Sequence, residues 1–156
     1  MAKTDATPQI KTGDPAPEFT LHDQRDNEVK LASFRGDKKV VLVFYPGDMT
    51  PGCTMQLCAI RDDWSKFIAA DTLVFGINHG NGDSHAQFIK THGFPFPLLI
   101  DKDKKVSAKY GAIKSLFGHK VIKRSVVGID KQGKISFLKR GMPKNTDILK
   151  AMSAAK

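Results

Sequence analysis

The sequence predicts an α/β fold in which a central mixed β-sheet is flanked by helices. Three observations carry that reading. A β-branched and aromatic run at 39–45, a second apolar run at 72–78 and a shorter one at 97–100 have the character of buried strands. Between them, apolar residues recur at helical spacing. The chain then closes on two strand-like runs around Lys131-Gln132-Gly133, a hairpin signature that adds antiparallel pairing.

Taken in order, residues 1–12 form a short polar lead and residues 13–156 one domain. Two prolines in "GDPAPEFTL" hold the backbone extended. "KVVLVFY" (39–45) reads as a central strand. From Thr54 to Ala69, the spacing of Leu57, Ile60, Trp64, Phe67 and Ile68 gives one apolar face and predicts a single amphipathic helix. "TLVFGIN" (72–78) is a second buried strand, followed by a helix over 84–93 with Ser84 as N-cap and Gly93 as its stop. "PLLI" supplies a third strand and "KKVSAKYG" a brief helix. "VIKRSVVGID" and "KISFLKRG" are the arms of the hairpin, and "NTDILKAMSAA" is a closing helix capped by Asn145 or Thr146.

Composition narrows the function classes. With 156 residues, 40% of them hydrophobic and 26% charged, the chain builds an ordinary core without staples. It shows neither an apolar leader nor a run of about 18 apolar residues, so a soluble, cytoplasmic protein is expected. The net charge of +9 is uneven: residues 1–100 hold 10 Lys or Arg against 12 Asp or Glu, and residues 101–156 hold 15 against 4. The C-terminal lysines are scattered along the predicted elements without interleaved aromatics, the pattern of a solvated surface more than of a nucleic-acid site. The histidines, at 22, 79, 85, 92 and 119, show no metal-ligand spacing, and "HGNGDSH" lacks the Lys and spacing of a phosphate loop. Neither a metal nor a bound cofactor is expected.

The two cysteines stand in "YPGDMTPGCTMQLC" (45–58). In so large a chain a close pair is no disulfide scaffold, and in a reducing compartment it points to catalysis, redox sensing or metal binding. Strand, Pro/Gly/Thr turn and helix place Cys53 at or near the first helical turn, where free N–H groups and the helix dipole favour a thiolate. Cys53 shares the inward face with Leu57, Ile60 and Trp64, and Cys58 is turned away from it. In a regular helix, positions five apart have Cα atoms about 8.6 Å apart, beyond the roughly 7 Å reach of a disulfide. The two thiols bond only if the first turns unwind. Cys58 alone reads equally well as a small inert hydrophobe.

This segment resembles the active-site signature P-x-x-x-T-x-x-C of the peroxiredoxins, met by Pro46, Thr50 and Cys53, and within them the bacterioferritin comigratory protein or peroxiredoxin Q branch. "GDPAPEFTLHDQ", "FRG", "FPFPLLIDKD" and "KRSVVGIDKQGKI" extend the resemblance over about residues 11–156. It implies a thioredoxin-like fold and a thiol peroxidase. Cys53 is then the peroxidatic cysteine, Cys58 the resolving cysteine and Arg124 the active-site arginine. Thr50 is placed to hydrogen-bond the peroxide, Pro46 to shape a dry pocket wall, and Gln56 to orient Arg124. From local pattern alone, Thr50 is as readable as an N-cap, Pro46 as a strand stop and Arg124 as a surface cation. Gly47 stands where a lysine is common in the branch, and "INHGNGD" departs from its usual Ser/Asp-containing segment.

The expected function is therefore reduction of hydrogen peroxide and organic hydroperoxides through a sulfenic acid at Cys53. Cys58 resolves it as an intramolecular disulfide, which thioredoxin or a similar dithiol reduces. A monomer or weak dimer is expected, with no membrane or nucleic-acid partner. The alternative is a redox-responsive binding protein that uses the same disulfide as a switch, with the basic C-terminal third engaging nucleic acid. A general disulfide oxidoreductase is disfavoured by the lack of C-x-x-C.

Overall fold

Six consecutive buried residues, Lys39–Phe44, form strand β3, and a strand with no exposed position must have neighbours on both edges and cover on both faces. In the computed structural model, which describes residues 9–156, it has both. It pairs in parallel with β4 (Thr72–Asn78) and antiparallel with β8 (Ser125–Ile129). Outside β4 lies β5 (Leu98–Ile100), then β1 (Thr20–Asp23) and β2 (Glu28–Lys30); β9 (Ile135–Arg140) closes the other edge. The seven strands run in the order β2-β1-β5-β4-β3-β8-β9, a mixed sheet as the sequence predicts.

Period-two alternation along β3 sorts the core into two layers. Val40, Leu42 and Phe44 face one layer, which they share with Phe19, Leu31, Tyr110 and Ile122. That side carries the short helix α4 (Lys105–Lys109) and a separate two-stranded hairpin, β6 (Ile113–Leu116) with β7 (His119–Ile122). Val41, Val43 and Tyr45 face the other layer. There they meet Cys53, Leu57 and Ile60 of α1 (Pro51–Asp62), Phe67 of α2 (Trp64–Ala69), Phe88 of α3 (Gly82–His92), and Ile148 and Met152 of α5 (Asn145–Ala154).

Four local expectations are corrected. The helix expected over 54–69 is two helices divided at Asp63, which leaves helical geometry at φ −102°, ψ 18°. Asn145 donates there to both the Ala59 carbonyl and the Asp63 carboxylate, at 2.9 Å each, a tertiary contact invisible to periodicity. Consequently Asn145 is not the cap of α5; Lys144 occupies that position. Asn81 rather than Ser84 caps α3, its side chain accepting from the Ser84 N–H at 2.8 Å, whereas Gly93 ends that helix in the left-handed conformation at φ 66° as expected. Finally, the run 121–130 is not one strand: β7 ends at Ile122 and β8 begins at Ser125, with Arg124 in the bend between them. Residues 1–8 of the predicted lead lie outside the described residues. Among the described residues no helix is long and apolar enough to cross a membrane.

Candidate active site

The site lies where β3 hands the chain to α1. Thr50 is the N-cap residue of α1, in extended geometry, and Pro51 and Gly52 open the helix. Pro has no N–H to lose at that position and its fixed φ suits the first turn. Cys53 follows, in the first turn as expected and fully buried. The Thr50 hydroxyl does not cap the helix; it donates to the Gly47 carbonyl at 3.0 Å. Pro46, half-buried, marks the end of β3 and the start of this loop. Between them Met49 holds a left-handed backbone at φ 63°, a conformation side chains other than glycine rarely adopt.

Arg124 reaches the same place from the bend before β8. Its Nη1 donates to Gln56 Oε1 at 2.8 Å, and Gln56 is itself buried on α1. Its Nη2 lies 3.0 Å from where a Cβ on Gly52 would stand. The absence of a side chain at residue 52 thus lets the guanidinium lie against the first turn of α1, one residue from Cys53. Gln56 thus meets Arg124 through its amide oxygen, the contact expected of it once the resemblance points to Arg124.

Cys58 is half-buried on the next turn and packs against the same apolar layer as Cys53. Both thiols are free and α1 is continuous through them. Among the described residues no group of three His, Cys, Asp or Glu is arranged to hold a metal ion.

A second set of polar residues, not singled out by the sequence, surrounds the loop that bears Cys53. Asp48 accepts from the Tyr45 hydroxyl at 2.7 Å and from the Ser84 hydroxyl at 2.6 Å, and His85 Nδ1 lies 2.6 Å from it. Burial pushes the Asp48 carboxyl up, but hydrogen bonds from His85, Ser84 and Tyr45 outweigh that and hold it below the usual carboxylate range. Tyr45 is driven well above its ordinary value, first by burial and then by the neighbouring Asp48 and Cys53. No local signal announces this cluster, because Asp48 and His85 are 37 residues apart and each alone reads as a loop or surface residue.

Residues 12–138 match the AhpC/TSA family. Peroxiredoxin Q, chloroplastic, of Oryza sativa subsp. japonica is 41% identical over 130 residues, 83% of this chain and 59% of that protein. Peroxiredoxin Q, chloroplastic, of Sedum lineare is 39% identical over 138 residues, 88% of this chain and 73% of that protein. The chain therefore spans less than two thirds of the rice relative's length. The crystal structure of peroxidoxin BcpB from Mycobacterium tuberculosis superimposes with a TM-score of 0.87 at 31% identity, covering 95% of this chain and 99% of that one.

Proposed function

Because the chain belongs to the AhpC/TSA family, we propose that it is a thiol peroxidase whose peroxidatic residue is Cys53. The observation that carries this reading is the guanidinium of Arg124 lying against the first turn of α1 beside a buried cysteine. That arrangement combines a buried nucleophile, the positive end of a helix and a cation held by Gln56.

The Cys53 thiolate attacks one oxygen of hydrogen peroxide or an organic hydroperoxide. The S–O bond forms as the O–O bond breaks, and the departing oxygen takes up a proton and leaves as water or an alcohol. Sulfur is oxidised by two electrons to a sulfenic acid, and the peroxide is reduced. Arg124 offsets negative charge on the departing oxygen, with Gln56 holding its fork in place. Thr50 offers its hydroxyl to the peroxide, exchanging its bond to the Gly47 carbonyl for one to substrate. Pro46 lines the loop without adding a backbone donor.

Cys58 then condenses with the sulfenic acid, forming the S–S bond and releasing water. This step requires α1 to open, since the two positions cannot be bridged on a regular helix. A dithiol such as thioredoxin returns two electrons by exchange. The cycle calls for a reducing compartment such as the cytoplasm, and a monomer or weak dimer suffices, because every group invoked belongs to one chain.

The test is steady-state peroxide consumption with thioredoxin, its reductase and NADPH. Wild type is expected to turn over, and Cys53→Ser to fall to the rate of protein-free buffer, because a serine hydroxyl stays protonated at neutral pH. Turnover in Cys53→Ser would remove that residue from its role. A disulfide that forms without turnover would favour a redox-responsive binding protein instead.

A further inference from the structure

Asp48 and His85 have no part in the reaction above, yet their side chains are only 5% and 0% exposed. A carboxylate in the interior is strongly unfavourable unless its lone pairs are met. Here donors converge from two elements: Tyr45 at the end of β3, and Ser84 and His85 in the first turn of α3. His85 Nε2 lies 3.1 Å from the Leu99 carbonyl of β5, which only accepts, so that nitrogen carries a hydrogen. His85 Nδ1 faces the carboxylate at 2.6 Å, so the ring bridges Asp48 and β5. The loop between Pro46 and Pro51 is thereby tied to β3, α3 and β5.

The loop needs such a tie. The helix start that carries Cys53 has no side-chain cap, and Met49 holds a left-handed backbone. Gly80 packs against the same cluster: a Cβ there would lie 3.0 Å from Asp48 Oδ2 and 3.2 Å from His85 Cε1, so the β4–α3 connection closes over the pair.

We infer that Asp48 and His85 form a latch that holds the Cys53 loop folded, and that its release lets the first turns of α1 unwind. The inference rests on the peroxidase reading for its chemical consequence. After the first oxidation, two reactions compete for the sulfenic acid. Condensation with Cys58 yields the disulfide and water, and needs α1 open. Attack on a second peroxide yields a sulfinic acid and water or an alcohol, and needs Cys53 in its folded pocket. The latch sets the partition between them. Asp48 and His85 are positioning residues that act on Cys53 through the loop.

Asp48→Asn keeps the shape of the side chain and removes its charge. Two measurements follow a pulse of peroxide: the ratio of sulfinic acid to disulfide by mass spectrometry, and amide exchange of residues 46–58 in the reduced protein. The sulfinic share is expected to fall, and exchange in 46–58 to rise, each by roughly tenfold, because the substitution removes the charged acceptor on which Tyr45, Ser84 and His85 converge. Exchange in β3 and β4 should be unchanged. An unaltered ratio, or acceleration spread evenly through the sheet, overturns the latch, since a merely structural role moves stability without moving the partition. Should Asp48→Asn not fold, Ser84→Ala removes one donor while leaving the Asp48–His85 contact, and is expected to shift the ratio in the same direction by a smaller factor. An unchanged ratio in Ser84→Ala would then overturn the proposal. Exchange requires no turnover, so the two readings fail separately. Local loosening in a protein that consumes no peroxide removes the peroxidase reading and retains the latch as a loop anchor. Turnover with an unchanged partition does the reverse.

Discussion

Two aspartates stand at opposite ends of the paired strands β3 and β4, and both carboxylates are held below their ordinary range by hydrogen-bond donors. Asp71, at the start of β4, accepts from Lys38 Nζ at 2.7 Å and Lys131 Nζ at 2.6 Å, with its side chain 40% exposed. Asp48, past the end of β3, accepts from Tyr45, Ser84 and His85 in the interior. The first is a pair of surface ion bridges between flexible side chains, screened by water and salt. The second is a part-buried network centred on two side chains, Asp48 and His85, that are only 5% and 0% exposed. The contrast separates scaffold from site: charge at the Asp71 end is replaceable, whereas at the Asp48 end it decides where a loop sits.

The sharpest probe of that division is Arg124→Ala. It deletes the cation against the first turn of α1 while leaving the sheet intact, and should lower kcat/KM for peroxide by about a hundredfold or more with the thermal midpoint nearly unchanged. Near-wild-type kinetics in the folded variant would return Arg124 to the solvated surface and dissolve the distinction between the two ends.

Oxidation sharpens the same boundary. One equivalent of peroxide should produce the Cys53–Cys58 disulfide with a small reversible loss of helical circular dichroism. Amide exchange should accelerate over residues 52–60, with the central strands still protected. Cys58→Ser should keep the helix and accumulate over-oxidised Cys53. Slow exchange throughout the oxidised segment would mean that Cys58 is only a packed neighbour.

Gly52→Ala tests geometry at the site end alone. Its Cβ would stand 3.0 Å from Arg124 Nη2, the far end of a flexible side chain, so the guanidinium moves and the helix does not. A loss of several-fold, on the order of fivefold, in kcat/KM should accompany equal or slightly higher stability, because alanine is the better helix former.

The smallest effect belongs to the other end. Asp71→Asn should leave turnover unchanged and shift the neutral-pH thermal midpoint by only about a degree or two. Its mark is in acid. The Asp71 carboxyl is pulled down to about 2, so its contribution is present at neutral pH and disappears as pH falls from the ordinary value near 4 towards 2. The acid limb of the stability curve should therefore flatten in the variant. A change in the sulfinic-to-disulfide ratio in Asp71→Asn comparable to that of Asp48→Asn would break the comparison.

How far the sequence could be read depends on whether a feature is local. Strands β3 and β4 were legible because a strand buried on both faces leaves a continuous apolar run, and the placement of Cys53 followed from the strand, turn and helix around it. The β6–β7 hairpin was not, since its residues are mostly exposed and lysine-rich and lack the alternation of a half-covered strand. Arg124 had no local mark at all; only the resemblance distinguished it from Lys123.

The sequence by itself determined the α/β class, the two core strands and the position of the cysteines, because hydrophobic period and turn chemistry act between near neighbours in the chain. Tertiary structure alone decided the break at Asp63, the meeting of Arg124 with Gly52 and Gln56, and the burial of Asp48 against Ser84 and His85. These contacts join residues 36 to 82 positions apart. A polar side chain carries no sign of its eventual partner: whether it faces water or another strand's donor is settled only when the sheet brings distant segments together and removes the water between them.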